Sequence, residues 1–130
     1  MDFTPGDLSV GDVVMFDALQ NFRGKDPDDN IIAVCVYISE GWCLKINSKN
    51  RPMYHCIKIT KEECFYLDKD SYLSCHPIIK IPNNYSVKGV VSSSFVEKII
   101  EQIEQIEIFS GDQESKILNS LNNYLKKMNR

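Results

Sequence analysis

The feature that most constrains the fold is a change in the spacing of apolar residues near residue 92. Before it, the chain holds short runs rich in β-branched and aromatic residues, separated by turns of Gly, Pro, Asn and Asp. Such runs are typical of strands. After it, apolar residues recur at spacings of three and four, at Val96, Ile99, Ile100, Ile103 and Ile106, which indicates one buried face of a helix. The chain is therefore predicted to be α+β and mainly β, with its strands first and its helices last.

The strands are predicted to form one small sheet. Residues 31–39, IIAVCVYIS, give the strongest strand signal and predict a central position. Other short runs predict further strands, at residues 11–16, 42–46, 54–60, 71–75, 77–81 and 86–91. Strands this short and this closely spaced favour a small, curled antiparallel SH3-like barrel over about residues 11–91.

Two helices are predicted to follow the barrel. Ser94 and Glu97 have the spacing of a capping box, which predicts that the first helix covers about residues 94–109. A break at Gly111 separates it from a second amphipathic helix at about residues 112–128. A chain of 130 residues is large enough for one core, so residues 1–130 are predicted to form a single domain.

Charge is segregated along the chain. The formal net charge is -3, yet residues 41–61 hold five basic residues and no acidic one. The acidic average argues against a protein that coats nucleic acid through bulk positive charge, but it leaves room for a local basic site. Residues 44–60 place a polar, basic turn between two apolar runs and predict a hairpin. That turn could bind phosphate, or it could be a solvated turn whose lysines protect a sheet edge.

The five cysteines form an odd set without a C-x-x-C pair, so neither a disulfide framework nor a thiolate metal site is predicted. Neither a long apolar run nor the pattern of a secretory signal is present in the sequence. We therefore expect a cytoplasmic protein without a membrane partner.

The order of elements and several short motifs resemble the MazF/PemK family of toxin endoribonucleases from type II toxin-antitoxin systems. The motifs are GDVV at 11–14, IIAVCVYIS at 31–39, KINSK at 45–49, DSYL at 70–73 and VKGVVS at 87–92. The resemblance implies cleavage of single-stranded RNA without a metal or other cofactor, by attack of the ribose 2'-OH on the adjacent phosphorus. It also implies a homodimer and an antitoxin protein that occupies the RNA groove.

The resemblance assigns catalytic roles to Arg23, as the cation of the first long loop, and to Ser48, at the Ser/Thr position after the third strand. The expected RNA contacts are Lys25 of the first long loop and, from the basic turn and its neighbours, Lys45, Asn47, Lys49, Arg51, Tyr54 and His55. Cations of this kind hold phosphates, Tyr54 could stack on a base, and His55 could exchange a proton near neutral pH.

Two other classes of protein stay open. Asp28 and Asp29 precede the central strand, where the resembled family has its arginine. This departure favours a non-catalytic SH3-like module that binds RNA or a protein partner. The third possibility is a structural or regulatory domain that uses the apolar face between Ile99 and Ile106 as its interface.

Overall fold

The computed structural model describes residues 8–17 and 30–128. Within these ranges the chain forms a curled antiparallel sheet followed by two helices, so the α+β, mainly β prediction is confirmed. The strands are β1 Asp12–Asp17, β2 Asn30–Tyr37, β3 Trp42–Asn47, β4 Ile57–Ile59, β5 Ser71–Leu73, β6 Ile79–Lys80 and β7 Ser86–Val90. A 3-10 helix covers Pro52–Tyr54, and the two α-helices are α1 Ser93–Gln105 and α2 Gly111–Met128.

The sheet has the strand order β4-β5-β3-β2-β1-β7, and β6 pairs with β3 outside this path. All of these pairs are antiparallel. The strands curl, as predicted, but among the described residues the sheet does not close, since β4 and β7 lie at its two ends.

The predicted hairpin across the basic turn is wrong. Residues 54–60 were expected to pair with β3, but β5 lies between β3 and β4 and pairs with both, so that Leu73 faces Ile46 on one side and Ile57 on the other. Pro52 opens the 3-10 helix, where its missing N–H and fixed φ are tolerated. His55 then has a left-handed φ of 52°. This turn carries the chain past β3 to the edge of the sheet.

The central strands are buried on both faces. On β2, Val34 and Val36 belong to the core beneath the helices, while Ala33 and Cys35 belong to a second cluster on the opposite face. This explains why residues 31–39 are apolar almost throughout, and it confirms the predicted central position of this strand. The helices complete the first cluster with buried apolar side chains from Ile99, Ile103, Ile117 and Leu121.

The helix boundaries differ in detail from those predicted. Ser92, not Ser94, caps α1, because its hydroxyl accepts a hydrogen bond from the Phe95 amide at 3.2 Å. Helix α1 ends at Gln105, earlier than residue 109, because Ile106 has an extended backbone. A short connection that includes Phe109 therefore separates the two helices. No helix in the described ranges has the length and apolar character that a membrane span requires.

The cysteines behave as small apolar residues. Cys35, Cys43, Cys64 and Cys75 are buried, Cys56 is half-buried, and all five are free thiols. Their burial agrees with their positions in apolar runs of the sequence.

Candidate functional site

A concave site lies where the pairing along β3 changes partner. Strand β3 pairs with β5 at Ile46 and Asn47, and with β6 at Trp42 and Cys43. Between these two ladders the chain leaves the sheet after β5 and returns at β6. At the start of this segment the Ser74 amide donates to the Lys45 carbonyl at 2.8 Å. The gap is a pocket of about 350 Å³. We call it the basic pocket, and it is lined by Lys45, Asn47, Arg51, Tyr54, Ser74, His76, Pro77 and Ile79.

Strand geometry brings the side chains of Lys45 and Asn47 to the pocket. Successive side chains of a strand point to opposite faces, and Leu44 and Ile46 are buried in the core beneath the helices. Lys45 and Asn47 therefore share the other face of β3. Arg51 comes from the turn that follows, and among the residues that the structure describes none that lines the pocket is acidic. The pocket thus concentrates positive charge in a chain of negative net charge, which favours an anionic ligand.

The turn that carries Arg51 is held by hydrogen bonds on several sides. The Arg51 carbonyl accepts from the Tyr54 amide at 2.9 Å and from Cys56 Sγ at 3.3 Å. The Tyr54 carbonyl in turn accepts from the Cys75 amide at 3.0 Å. These bonds place Arg51 and Tyr54 beside the segment that contains Ser74 and His76, so the two sides of the pocket are fixed to each other through the backbone.

Helix α1 also supports this turn. Gln102 Nε2 donates to the His55 carbonyl at 3.3 Å. A left-handed φ at a residue other than glycine carries a conformational cost, and His55 has such a φ. The contact with Gln102 helps to stabilise this conformation.

Two neutral donors lie at the base of the pocket. Asn47 Nδ2 donates to Ser74 Oγ at 2.6 Å, and Ser74 is only 2% exposed. Because the hydroxyl accepts from Asn47, it keeps its own hydrogen to donate, either to Cys56 Sγ at 3.6 Å or to an oxygen of a ligand. The pocket therefore offers hydroxyl, amide and cationic groups together.

The pocket also contains one group that can carry protons. His76 is exposed and lines the pocket, and histidine is the side chain suited to proton exchange near neutral pH. Cys75 is adjacent in sequence, but burial, together with the neighbouring Cys56 thiol, raises the pKa of Cys75 to about 12. Cys75 is therefore a protonated thiol near neutral pH and not a nucleophile.

The structure brings together four of the predicted site residues, since Lys45, Asn47, Arg51 and Tyr54 all line the basic pocket. Ser48 and Lys49 are exposed in the turn after β3 and are not among the residues that line it. His55 is half-buried, and its carbonyl is bonded to Gln102. The two remaining predicted residues, Arg23 and Lys25, lie outside the described residues.

Sequence reasoning missed Ser74 and His76 as members of the site. Both belong to the β5–β6 connection, which lies beside β3 because β5 and β6 both pair with that strand. The spacing of Ser74 and His76 from the basic turn in the sequence does not indicate that they lie beside β3. If the pairing of β5 with β3 had been known, Ser74 and His76 would have been predicted as site residues.

No protein-family model matches this chain, and neither a search of curated proteins nor one of solved structures gives a match. Within the described ranges, no group of three or more His, Cys, Asp or Glu residues is arranged to hold a metal ion. The class of ligand is therefore argued from the chemistry of the basic pocket, which joins two cations, two neutral donors and an aromatic ring.

Proposed function

We propose that this chain binds single-stranded RNA in the basic pocket. The observation that carries the proposal is that Lys45, Arg51 and the ring of Tyr54 line one pocket, and that none of the described residues that line it is acidic. Proteins that bind single strands combine cations that follow the phosphates with aromatic side chains on which the bases stack. Both components occur here within one opening of about 350 Å³.

The neutral donors support a sugar-phosphate ligand in preference to a simple anion. Ser74 and Asn47 can donate to phosphate oxygens or bond to the ribose 2'-OH, which is the group that distinguishes RNA from DNA. A single strand suits the pocket better than a duplex, because only unstacked bases are free to reach a concave site beside an aromatic ring.

A second function, cleavage of the bound strand, is favoured by the position of His76 in the same pocket. In this reaction the ribose 2'-oxygen attacks the adjacent phosphorus and gives up its proton, while the bond to the 5'-oxygen breaks and that oxygen gains a proton. The products are a 2',3'-cyclic phosphate and a 5'-hydroxyl. His76 could accept or donate one of these protons, and Lys45 and Arg51 could stabilise the charge that builds on the phosphate oxygens.

The same metal-independent chemistry is implied by the resemblance to MazF/PemK toxins. The catalytic roles of Arg23 and Ser48, the antitoxin and the homodimer stay predictions. The pocket adds Ser74 as a hydroxyl donor and His76 as a proton carrier to the groups that the resemblance implies.

Binding is tested with a fluorescently labelled, 2'-O-methylated RNA oligomer, which keeps its phosphates and bases but cannot be cleaved by 2'-OH attack. Fluorescence anisotropy should show that the wild-type chain binds it. The Lys45→Gln, Arg51→Gln double variant should bind more weakly, by about tenfold for each cation removed. The matched control is Lys58→Gln, Lys69→Gln, because both lysines are exposed and neither lines the pocket. No binding by the wild-type chain, or equal losses in both double variants, would contradict the proposal.

Cleavage is tested on unmodified single-stranded RNA in the presence of EDTA, followed by analysis of the new ends. We expect 5'-hydroxyl ends, and we expect a 2'-O-methyl group at the cleaved nucleotide to abolish the reaction. His76→Ala should lower the rate by roughly 10²–10⁴-fold, a far larger change than in the affinity for the methylated oligomer. His55→Asn is the matched control, because asparagine tolerates a left-handed φ. If the chain binds RNA but does not cleave it, the chain is the non-catalytic module. In that case only the second function, cleavage, is contradicted.

A further inference from the structure

A second, smaller pocket opens beside the basic pocket and shares two residues with it. Its volume is about 230 Å³, and we call it the apolar pocket. It is lined by His76, Pro77, Ile78, Ile108, Phe109 and Gln113. Because His76 and Pro77 line both pockets, the two pockets are neighbours at this segment.

The walls of the apolar pocket come from the β5–β6 connection and from the connection between α1 and α2. Ile78 and Phe109 are half-buried, and both pack against the core beneath the helices. Part of each side chain is therefore anchored, while the rest stays accessible in the pocket. An aromatic ring held in this way is available for stacking without a large loss of conformational freedom.

The side chain of Gln113, which is the polar wall of the apolar pocket, is also fixed in place. The Ser110 amide donates to Gln113 Oε1 at 3.4 Å, and the Gln113 amide donates to Ser110 Oγ at 3.1 Å. These reciprocal bonds cap the start of α2 and hold the Gln113 side chain beside the apolar walls. A carboxamide at the edge of an apolar pocket can form hydrogen bonds to the edge of a planar, polar ring.

We propose that the apolar pocket receives a base of the RNA strand whose phosphate is bound in the basic pocket. The inference rests on the proposed RNA binding and adds a subsite to it. The pocket is smaller than the roughly 300–1,000 Å³ of ordinary small-molecule sites, and this suits one planar ring. Stacking on an aromatic side chain is the main way in which proteins hold unpaired bases, and Phe109 supplies that ring.

The test uses two 2'-O-methylated oligomers with the same number of phosphates, one of adenines and one without bases. Anisotropy titrations of the full chain should show that the oligomer with bases binds more tightly, by about tenfold for the base on Phe109 in addition to the contribution of a base on Tyr54. Phe109→Leu, which keeps an apolar side chain against the core, should reduce this difference by about tenfold and leave the affinity for the baseless oligomer unchanged.

The matched control is Phe65→Leu, because Phe65 is 89% exposed and lines neither pocket. This variant should keep the full preference for bases. The Tyr54→Leu variant should keep the roughly tenfold preference for bases that Phe109 provides, so the comparison of the two oligomers on that variant tests the subsite even if Phe109→Leu fails to fold.

The outcomes separate the two proposals. If the wild-type chain binds both oligomers with the same, salt-dependent affinity, the base subsite and base stacking on Tyr54 are both wrong, while binding of the phosphates in the basic pocket stands. If Phe109→Leu and Phe65→Leu reduce the preference equally, the base is stacked somewhere other than the apolar pocket. If the wild-type chain binds neither oligomer, both proposals fail.

Discussion

Removal of the two cations from the basic pocket should change how RNA affinity depends on salt. Each phosphate neutralised on a single strand contributes about 0.7 to the slope of log K against log salt concentration. Lys45 and Arg51 are the basic side chains that line the pocket. If each contacts one phosphate, the Lys45→Gln, Arg51→Gln variant should have a slope about 1.4 less steep than that of the wild-type chain.

The expected change is large enough to measure. Between about 50 and 200 mM salt, a slope difference of 1.4 makes the affinity gap between variant and wild-type chain shrink by about sevenfold. Anisotropy titrations with the methylated oligomer over this range would give the slope for each protein. The control variant Lys58→Gln, Lys69→Gln should keep the wild-type slope, because Lys58 lies outside the pocket and pairs with Asp70 at 3.7 Å.

Two results would refute this reasoning. A pocket variant that binds more weakly but keeps the wild-type slope would mean that its cations support the shape of the site and do not contact phosphate. Equal reductions of slope in the pocket and control variants would mean that the strand is attracted by the general surface charge of the chain, without a defined site.

Three further predictions concern stability, each measured by urea unfolding. Leu121→Ala should cost about 2–5 kcal/mol, because Leu121 is fully buried between α2 and the sheet. Ser92→Ala should cost about 1 kcal/mol, since it removes the hydroxyl that caps α1. Burial alone would raise the pKa of Glu63, but hydrogen bonds from Lys98 and Thr60 hold it below the ordinary 4.5. The stability that wild type has over Glu63→Gln should therefore be complete above about pH 4.5 and shrink as the pH falls through the lower, folded-state pKa.

The sequence predicted the elements whose pattern is set by local burial. Residues 31–39 are apolar almost throughout because β2 is covered on both faces, and the stripe through Ile99 and Ile103 marks the face of α1 that enters the core. The sequence predicted the bounds and the pairing of β4 less well. Residues 54–60 have the composition of a strand, but Pro52 and the left-handed φ of His55 redirect the chain before the strand begins, so only Ile57–Ile59 joins the sheet.

The basic side of the candidate site could be predicted because its residues are close together in sequence. Lys45, Asn47 and Arg51 all lie within residues 41–61, which include five basic residues and no acidic one. The opposite side could not, because Ser74 and His76 lie beside β3 through the pairing of β5 and β6 with that strand. That pairing depends on long-range register, and a strand as short as Ser71–Leu73 carries too few side chains to specify its partner.

The two pockets exist because β5 and β6 are short strands. Strand β3 is long enough to pair with both, but the segment between them leaves the sheet, and Pro77 within it has no N–H to donate to a ladder. The same excursion therefore lines the basic pocket on one side and the apolar pocket on the other. Because the backbone bond between Ser74 and Lys45 holds this excursion beside β3, substitutions of the cations or of Phe109 should leave the shape of the pockets unchanged. Losses of affinity in those variants then measure lost contacts with the ligand.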